Sequence, residues 1–173
     1  YQQIQNGKII VGEYIKQIYS YIIRGLESKS FLFNKVKADN AINWIENHCY
    51  HLEGKKATTQ MILELWQKAF IQAMFGFVDK DTGLRKYRKA ILFVARKNGK
   101  SVLAAAIATY MLTKDGEGGA EIYSVATKRD QAKIVWEEAK KMIKKSPCLA
   151  KRIRCLIGGI YYDATDSSFR ALA

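Results

Sequence analysis

Apolar positions in the first half of the chain recur at intervals of three and four residues. Over residues 10–26 they are Ile15, Ile18, Tyr19, Ile22 and Ile23. Over 38–50 they are Ala38, Ala41, Ile42, Ile45 and Cys49. Over about 60–76 they are Ile62, Leu65, Trp66, Ala69, Phe70 and Ala73. Each set lines one face of a helix at 3.6 residues per turn. Thr58 or Thr59 stands where a cap for the third helix belongs, since a hydroxyl can accept from the open N–H groups of a first turn. The polar segment Leu52 to Thr59, with Gly54, reads as a loop, and DKDTGL (79–84) as a turn.

The pattern changes after residue 87. Ala90 to Ala95 (AILFVA) is a short unbroken apolar run, the signature of a strand buried on both faces. Ser101 to Thr113 is rich in Ala and Leu and predicts a helix; DGEGG (115–119) predicts a turn. Ala120 to Ala126 predicts a second strand, and Arg129 to about Lys145 a long helix stopped by Ser146-Pro147. Strand, loop, helix, turn, strand, helix is the unit of a parallel sheet with covering helices, an α/β fold. Residues 155–172 predict a hairpin or irregular strands around Gly158-Gly159 and a DATDSS turn.

Composition narrows the class. With 173 residues, 49% of them hydrophobic, and one proline, the chain is a folded domain rather than a disordered one. No apolar run approaches the roughly 20 residues that span a bilayer, and no secretory signal opens the chain. The chain does not start with Met and ends in a strand-like segment, FRALA, so a piece of a longer protein is expected. Cys49, Cys148 and Cys155 form no CxxC pair and read as reduced thiols. His48, Cys49 and His51 lie close in sequence, but a zinc site needs about four ligands and no second cluster follows.

The net charge of +13 is unevenly spread. Residues 1–84 hold 10 Lys/Arg against 8 Asp/Glu, and residues 85–173 hold 19 against 8. Such a field favours polyanions, and without a basic amphipathic helix carrying aromatic anchors it favours nucleic acid over membrane.

Candidate chemistry sits between the first predicted strand and its helix. Gly99-Lys100-Ser101 supply the end of a phosphate-binding loop, although Val94 occupies the position of the usual first glycine. The tripeptide alone is weak; its setting between strand and helix is what the mechanism requires. Open N–H groups and the dipole at a helix N-terminus favour an anion. Gly99 allows close backbone approach, Lys100 can reach the β- and γ-phosphates, and the Ser101 hydroxyl can ligate Mg²⁺. Arg96, Lys97 and Asn98 complete the loop. Arg96 either stabilises charge on the transferring phosphoryl group or is a surface cation; spacing alone leaves both readings open.

These residues resemble the large terminase subunit of tailed bacteriophages, the ATP-driven DNA-packaging motor. The resemblance is to the branch whose loop reads Arg-Lys-Asn-Gly-Lys-Ser/Thr. It runs in order through residues 63–77, 79–101, 104–127 and 128–139, and more loosely through 1–60. It implies a RecA-like P-loop ATPase core, followed in the family by an RNase H-like nuclease domain. It divides the chain into a helical lead-in, 1–60, and the first part of an ATPase domain, 61–173. Lys100 and Ser101 would handle ATP phosphate and Mg²⁺, Arg96 would act in hydrolysis or coupling, and Gln67 would read the adenine edge. The bland alternative for Gln67 is a helix-surface amide. Trp66 reads better as core than as an adenine stacker. Thr127 and Gln131 could touch nucleotide or DNA, or cap the helix that follows.

The resemblance further implies double-stranded DNA, a portal protein and a small terminase subunit as partners, a homo-oligomeric ring during packaging, and action in the host cytoplasm. The acidic strand that carries the Mg²⁺-binding Asp and the water-activating Glu is expected beyond residue 173. Asp163, at the end of IGGIYYD, is a poor substitute, with Ala164 where the Glu belongs. The chain alone is therefore expected to hydrolyse ATP poorly. Two alternatives stand beside this reading: another nucleic-acid-dependent P-loop ATPase of helicase type, and a non-catalytic DNA-binding or assembly module.

Overall fold

A computed structural model describes residues 1–52, 54 and 57–172. It separates into two units, Tyr1–Asp39 with Ala69–Ala90, and Asn40–Lys68 with Ile91–Ala173. The boundaries fall inside two helices, α3 (Lys35–His48) and α4 (Leu65–Gly76).

In the first unit a short helix α1 (Gln2–Gln5) precedes α2 (Glu13–Arg24). α2 forms where the periodicity predicts it, but its apolar stripe is not buried: Ile15 and Ile18 are 42% and 54% exposed. The helix is thus explained by its pattern and not by packing. Two strands that the pattern did not predict, β1 (Phe31–Phe33) and β2 (Phe77–Asp79), pair antiparallel, with Phe33 opposite Phe77. Three residues each are too few to show a period. The DKDTGL turn closes as expected. Asp79 Oδ1 accepts from Thr82 N (2.9 Å), Thr82 Oγ1 (2.9 Å) and Asp81 N (3.1 Å), and Gly83 takes the positive φ of 69°.

The second unit holds the α/β core. α5 (Lys100–Thr113) and α6 (Arg129–Lys145) lie within a residue of their predicted bounds, and a one-turn helix α7 (Pro147–Ala150) follows. The sheet comprises β3 (Glu121–Val125), β4 (Arg154–Cys155), β5 (Ile160–Tyr162) and β6 (Ser167–Leu172), in the order β3-β6-β5-β4. β3 and β6 run parallel; the other pairs are antiparallel, so the tail is the hairpin its sequence suggests. Alternation sets the faces. Ile122 lies opposite Phe169 and Ser124 opposite Ala171, and α6 covers that side. Trp136 Nε1 donates to Phe169 O (3.2 Å), and Ser124 Oγ donates to Ala132 O (2.6 Å). Tyr123, Val125 and Leu172 face the other way and stay exposed.

Three expectations need correction. The strand predicted at 90–95 is extended chain that joins no ladder, and Ile91 and Phe93 are 93% and 98% exposed. A strand needs a hydrogen-bonding neighbour, and none of the described strands runs beside this segment. The third helix starts at Leu65, not near residue 60, because Gln60 bridges to Tyr50 instead. Its buried face is also rotated. Gln67, Ile71 and Phe75 are buried, whereas Ile62 and Leu65 are 75% and 71% exposed. By contrast Ala38, Ala41, Ile42, Ile45 and Cys49 are all buried as their spacing predicts.

Candidate functional site

The 14-residue helix α5 begins at Lys100, with Gly99 as its N-cap at φ 70°, ψ 19°. That left-handed conformation suits glycine, which has no Cβ to clash. The first intrahelical bond runs from Leu103 N to Gly99 O (2.9 Å). The N–H groups of Lys100, Ser101 and Val102 therefore lack intrahelical acceptors and lie at the positive end of the helix dipole. Gly99 offers no side chain to cap them. The buried side of α5 holds it in place through Leu103, Ala105, Ala106, Thr109, Tyr110 and Leu112. The Tyr110 ring meets Trp44 edge-on at 5.6 Å.

The loop before α5 is folded on its own polar groups. Lys97 adopts φ 65°, unusual for a residue with a Cβ. Asn98 Nδ2 donates to Ala95 O (3.2 Å) and Arg96 O (3.3 Å). Lys100 Nζ donates to Val94 O (2.6 Å) and Ala95 O (3.0 Å). The ammonium thus lies across the loop mouth, held by neutral carbonyls that a phosphate could replace. Arg96 and Lys97 are exposed, and Ser101 is half-buried in the first turn of α5. The positive charge, the left-handed backbone and the open N–H groups converge at one helix end.

Gln67 has a different local role. It is 7% exposed, and its Oε1 accepts from Glu64 N (2.9 Å) at the start of α4. This is the reach-back half of a capping box. Gln67 is therefore not the helix-surface amide that sequence left open. Among the described residues no hydrogen bond joins it to the loop. Thr127 Oγ1 reaches Gln131 Oε1 at 3.5 Å, and Lys128 rather than Thr127 is the N-cap of α6. Trp66 is half-buried.

Asp163 follows β5 and is gripped by Arg154. Nε and Nη2 each donate at 2.6 Å to the two carboxylate oxygens, which holds the carboxyl below its usual range. The pair ties the turn after β5 to β4 at the surface. His48 stacks on Trp44 at 5.0 Å, and burial pushes the Cys49 thiol up to about 12. Among the described residues no three metal-binding side chains stand together, and no helix is long and apolar enough to cross a membrane.

The fold defines a class: an α/β protein of RecA-like P-loop type. Residues 65–173 match the family described as terminase large subunit, ATPase domain, and the chain belongs to that family. It is similar to the terminase large subunit of Enterobacteria phage HK97, at 34% identity over 124 residues. That match covers 71% of this chain and 23% of the relative. It is also similar to the crystal structure of the HK97 bacteriophage large terminase, with a TM-score of 0.67 and 29% identity. That match covers 79% of this chain and 27% of the other. The chain thus spans about a quarter of the length of these relatives. The family match is to the terminase reading, not to the helicase-like alternative.

Proposed function

We propose that this chain is the ATP-binding part of a large terminase subunit, whose full protein couples ATP hydrolysis to packaging of double-stranded DNA into a procapsid. The observation that carries the reading is the loop Arg96–Ser101 at the open end of α5, in a chain of the terminase ATPase family. In this reading the N–H groups of Lys100, Ser101 and Val102 receive phosphate oxygens, and Lys100 leaves the Val94 and Ala95 carbonyls for the β- and γ-phosphates. Asn98 keeps the loop in shape. Ser101 suits the Mg²⁺ that accompanies ATP, since its hydroxyl stands in the first turn beside the phosphate mouth; the ion neutralises phosphate charge. Arg96, which is exposed, meets the charge that grows on the transferring group. Gln67 reads the adenine edge only if its amide turns from Glu64.

The basic half of the chain meets the DNA backbone, with contacts that do not depend on sequence. The same reading gives residues 1–60 as a helical lead-in and 61–173 as the first part of the ATPase domain. It places a nuclease domain elsewhere in the parent, and adds a homo-oligomeric ring, portal and small-subunit partners and work in the host cytoplasm. Residues 1–173 alone bind nucleotide but turn it over slowly, because Ala164 stands where the water-activating Glu would follow Asp163. Titrating the 173-residue chain with a fluorescent ATP analogue and Mg²⁺ tests this. Saturable binding with negligible phosphate release is expected. Absence of saturable binding sinks the proposal, and rapid turnover removes the claim of inactivity.

A further inference from the structure

Two cations from distant parts of the sequence meet at a cavity in the first unit. α2 ends with Arg24; Gly25 then turns the chain through a single 3₁₀ turn to Ser28. Lys86 arrives through β2. Val78 bridges to Arg85, and Lys86 N donates to Phe77 O at 2.9 Å. Tyr21, Arg24, Gly25, Ser28 and Lys86 line a cavity of about 420 Å³.

Among the described residues the lining contains no carboxylate, and none of their ion pairs uses Arg24 or Lys86. Lys86 Nζ stands instead 4.9 Å from the Phe31 ring centre, 5.4 Å from that of Tyr87 and 5.6 Å from that of Phe77. Aromatic faces attract a cation but offer its N–H donors no lone pair. Lys86 Nζ lies close to the chain at Gly25: a Cβ there would meet it in ordinary contact at 3.5 Å and crowd Phe77 Cε1 at 3.3 Å. Ser28 Oγ accepts from Phe31 N (3.3 Å), which leaves its own hydrogen to donate. The Tyr87 hydroxyl, next in sequence to Lys86, is buried without a hydrogen-bond partner among the described residues. The C-terminal carbonyls of α2 would account for one nearby cation. They do not account for two on one cavity with no counter-charge.

We propose that this cavity binds a phosphate-type oxyanion, at a site separate from the Arg96–Ser101 loop. The guanidinium fork of Arg24, the ammonium of Lys86 and the hydroxyls of Tyr21 and Ser28 donate from several directions. That suits a tetrahedral anion with three or more acceptor oxygens better than a planar carboxylate. The group is either a phosphodiester of duplex DNA or a free phosphate, since both present the same oxygens.

The test follows the backbone amides of Gly25, Ser28 and Lys86 by NMR in the 173-residue chain. Lys100→Ala silences the loop, and inorganic phosphate is titrated at constant ionic strength with chloride as control. Saturable shifts at these amides are expected, both in this background and with Lys100 intact. Arg24→Gln, which changes an exposed side chain, and Lys86→Gln should each weaken the affinity about fivefold or more. A raised apparent Kd for phosphate at these amides when duplex DNA is added assigns the site to the DNA backbone; an unchanged Kd assigns it to free phosphate. Shifts that are absent, that chloride reproduces, or that Arg24→Gln leaves unchanged overturn the proposal.

Discussion

Replacing Lys100 by alanine separates the two jobs the structure gives this side chain. The ammonium holds Val94 O at 2.6 Å and Ala95 O at 3.0 Å. Hydrogen bonds to a charged group contribute about 1.5–3 kcal/mol each. Lys100 is only half-buried, so water replaces it at both carbonyls. The stability lost on truncation is then about 1 kcal/mol, at the low end for a partly exposed interaction. Binding responds differently. A charge-assisted contact to phosphate contributes about 3 kcal/mol, of which about 1 kcal/mol is spent in wild type on opening the loop contacts. The net loss in the variant is about 2 kcal/mol, or roughly 30-fold in Kd. Urea unfolding gives the first number, and titration with a fluorescent ATP analogue and Mg²⁺ gives the second. An affinity within about threefold of wild type would refute a phosphate role for Lys100. A stability loss several times larger than predicted would mean that the loop contacts, not the ligand, are its main work.

Three further outcomes follow from local geometry. Gln67→Ala removes the acceptor for Glu64 N and should cost about 1 kcal/mol in urea unfolding; an unchanged midpoint would show that the reach-back bond does not hold α4. Trp136→Phe removes the indole bond to Phe169 O, a carbonyl that also lies in the β5–β6 ladder opposite Ile160, and should cost about 1 kcal/mol by the same measurement, and an unchanged midpoint would mean that this bond adds nothing to the sheet. Hydrogen bonds from Thr82, main chain first, hold the Asp79 carboxyl below its ordinary value. Its contribution to stability is complete above the unfolded value of about 3.9 and is lost as pH falls through the lower folded value. Asp79→Asn should therefore flatten the acid limb of stability against pH below about pH 4, and identical limbs for the two proteins would exclude this role.

Sequence alone determined the features that depend on local order. The buried stripe of α3, the span of α6 with its stop at Ser146-Pro147, and the loop whose glycine opens α5 all follow from spacing, propensity and a few special residues. The candidate phosphate loop was legible for the same reason: Arg96 to Ser101 are consecutive, so placing the helix places the loop. What needed the tertiary structure is what joins residues far apart. Whether 90–95 becomes a strand depends on neighbours that no local pattern supplies, and here it runs extended and exposed. The apolar stripe of α2 formed a helix, but only packing decides burial, and Ile18 stayed open. That Gln67 is buried and accepts from Glu64 N is likewise a matter of how the chain before α4 packs. Arg24 and Lys86 are unremarkable in sequence; only the turn at Gly25 and the path of the chain after β2 bring their charges to one cavity.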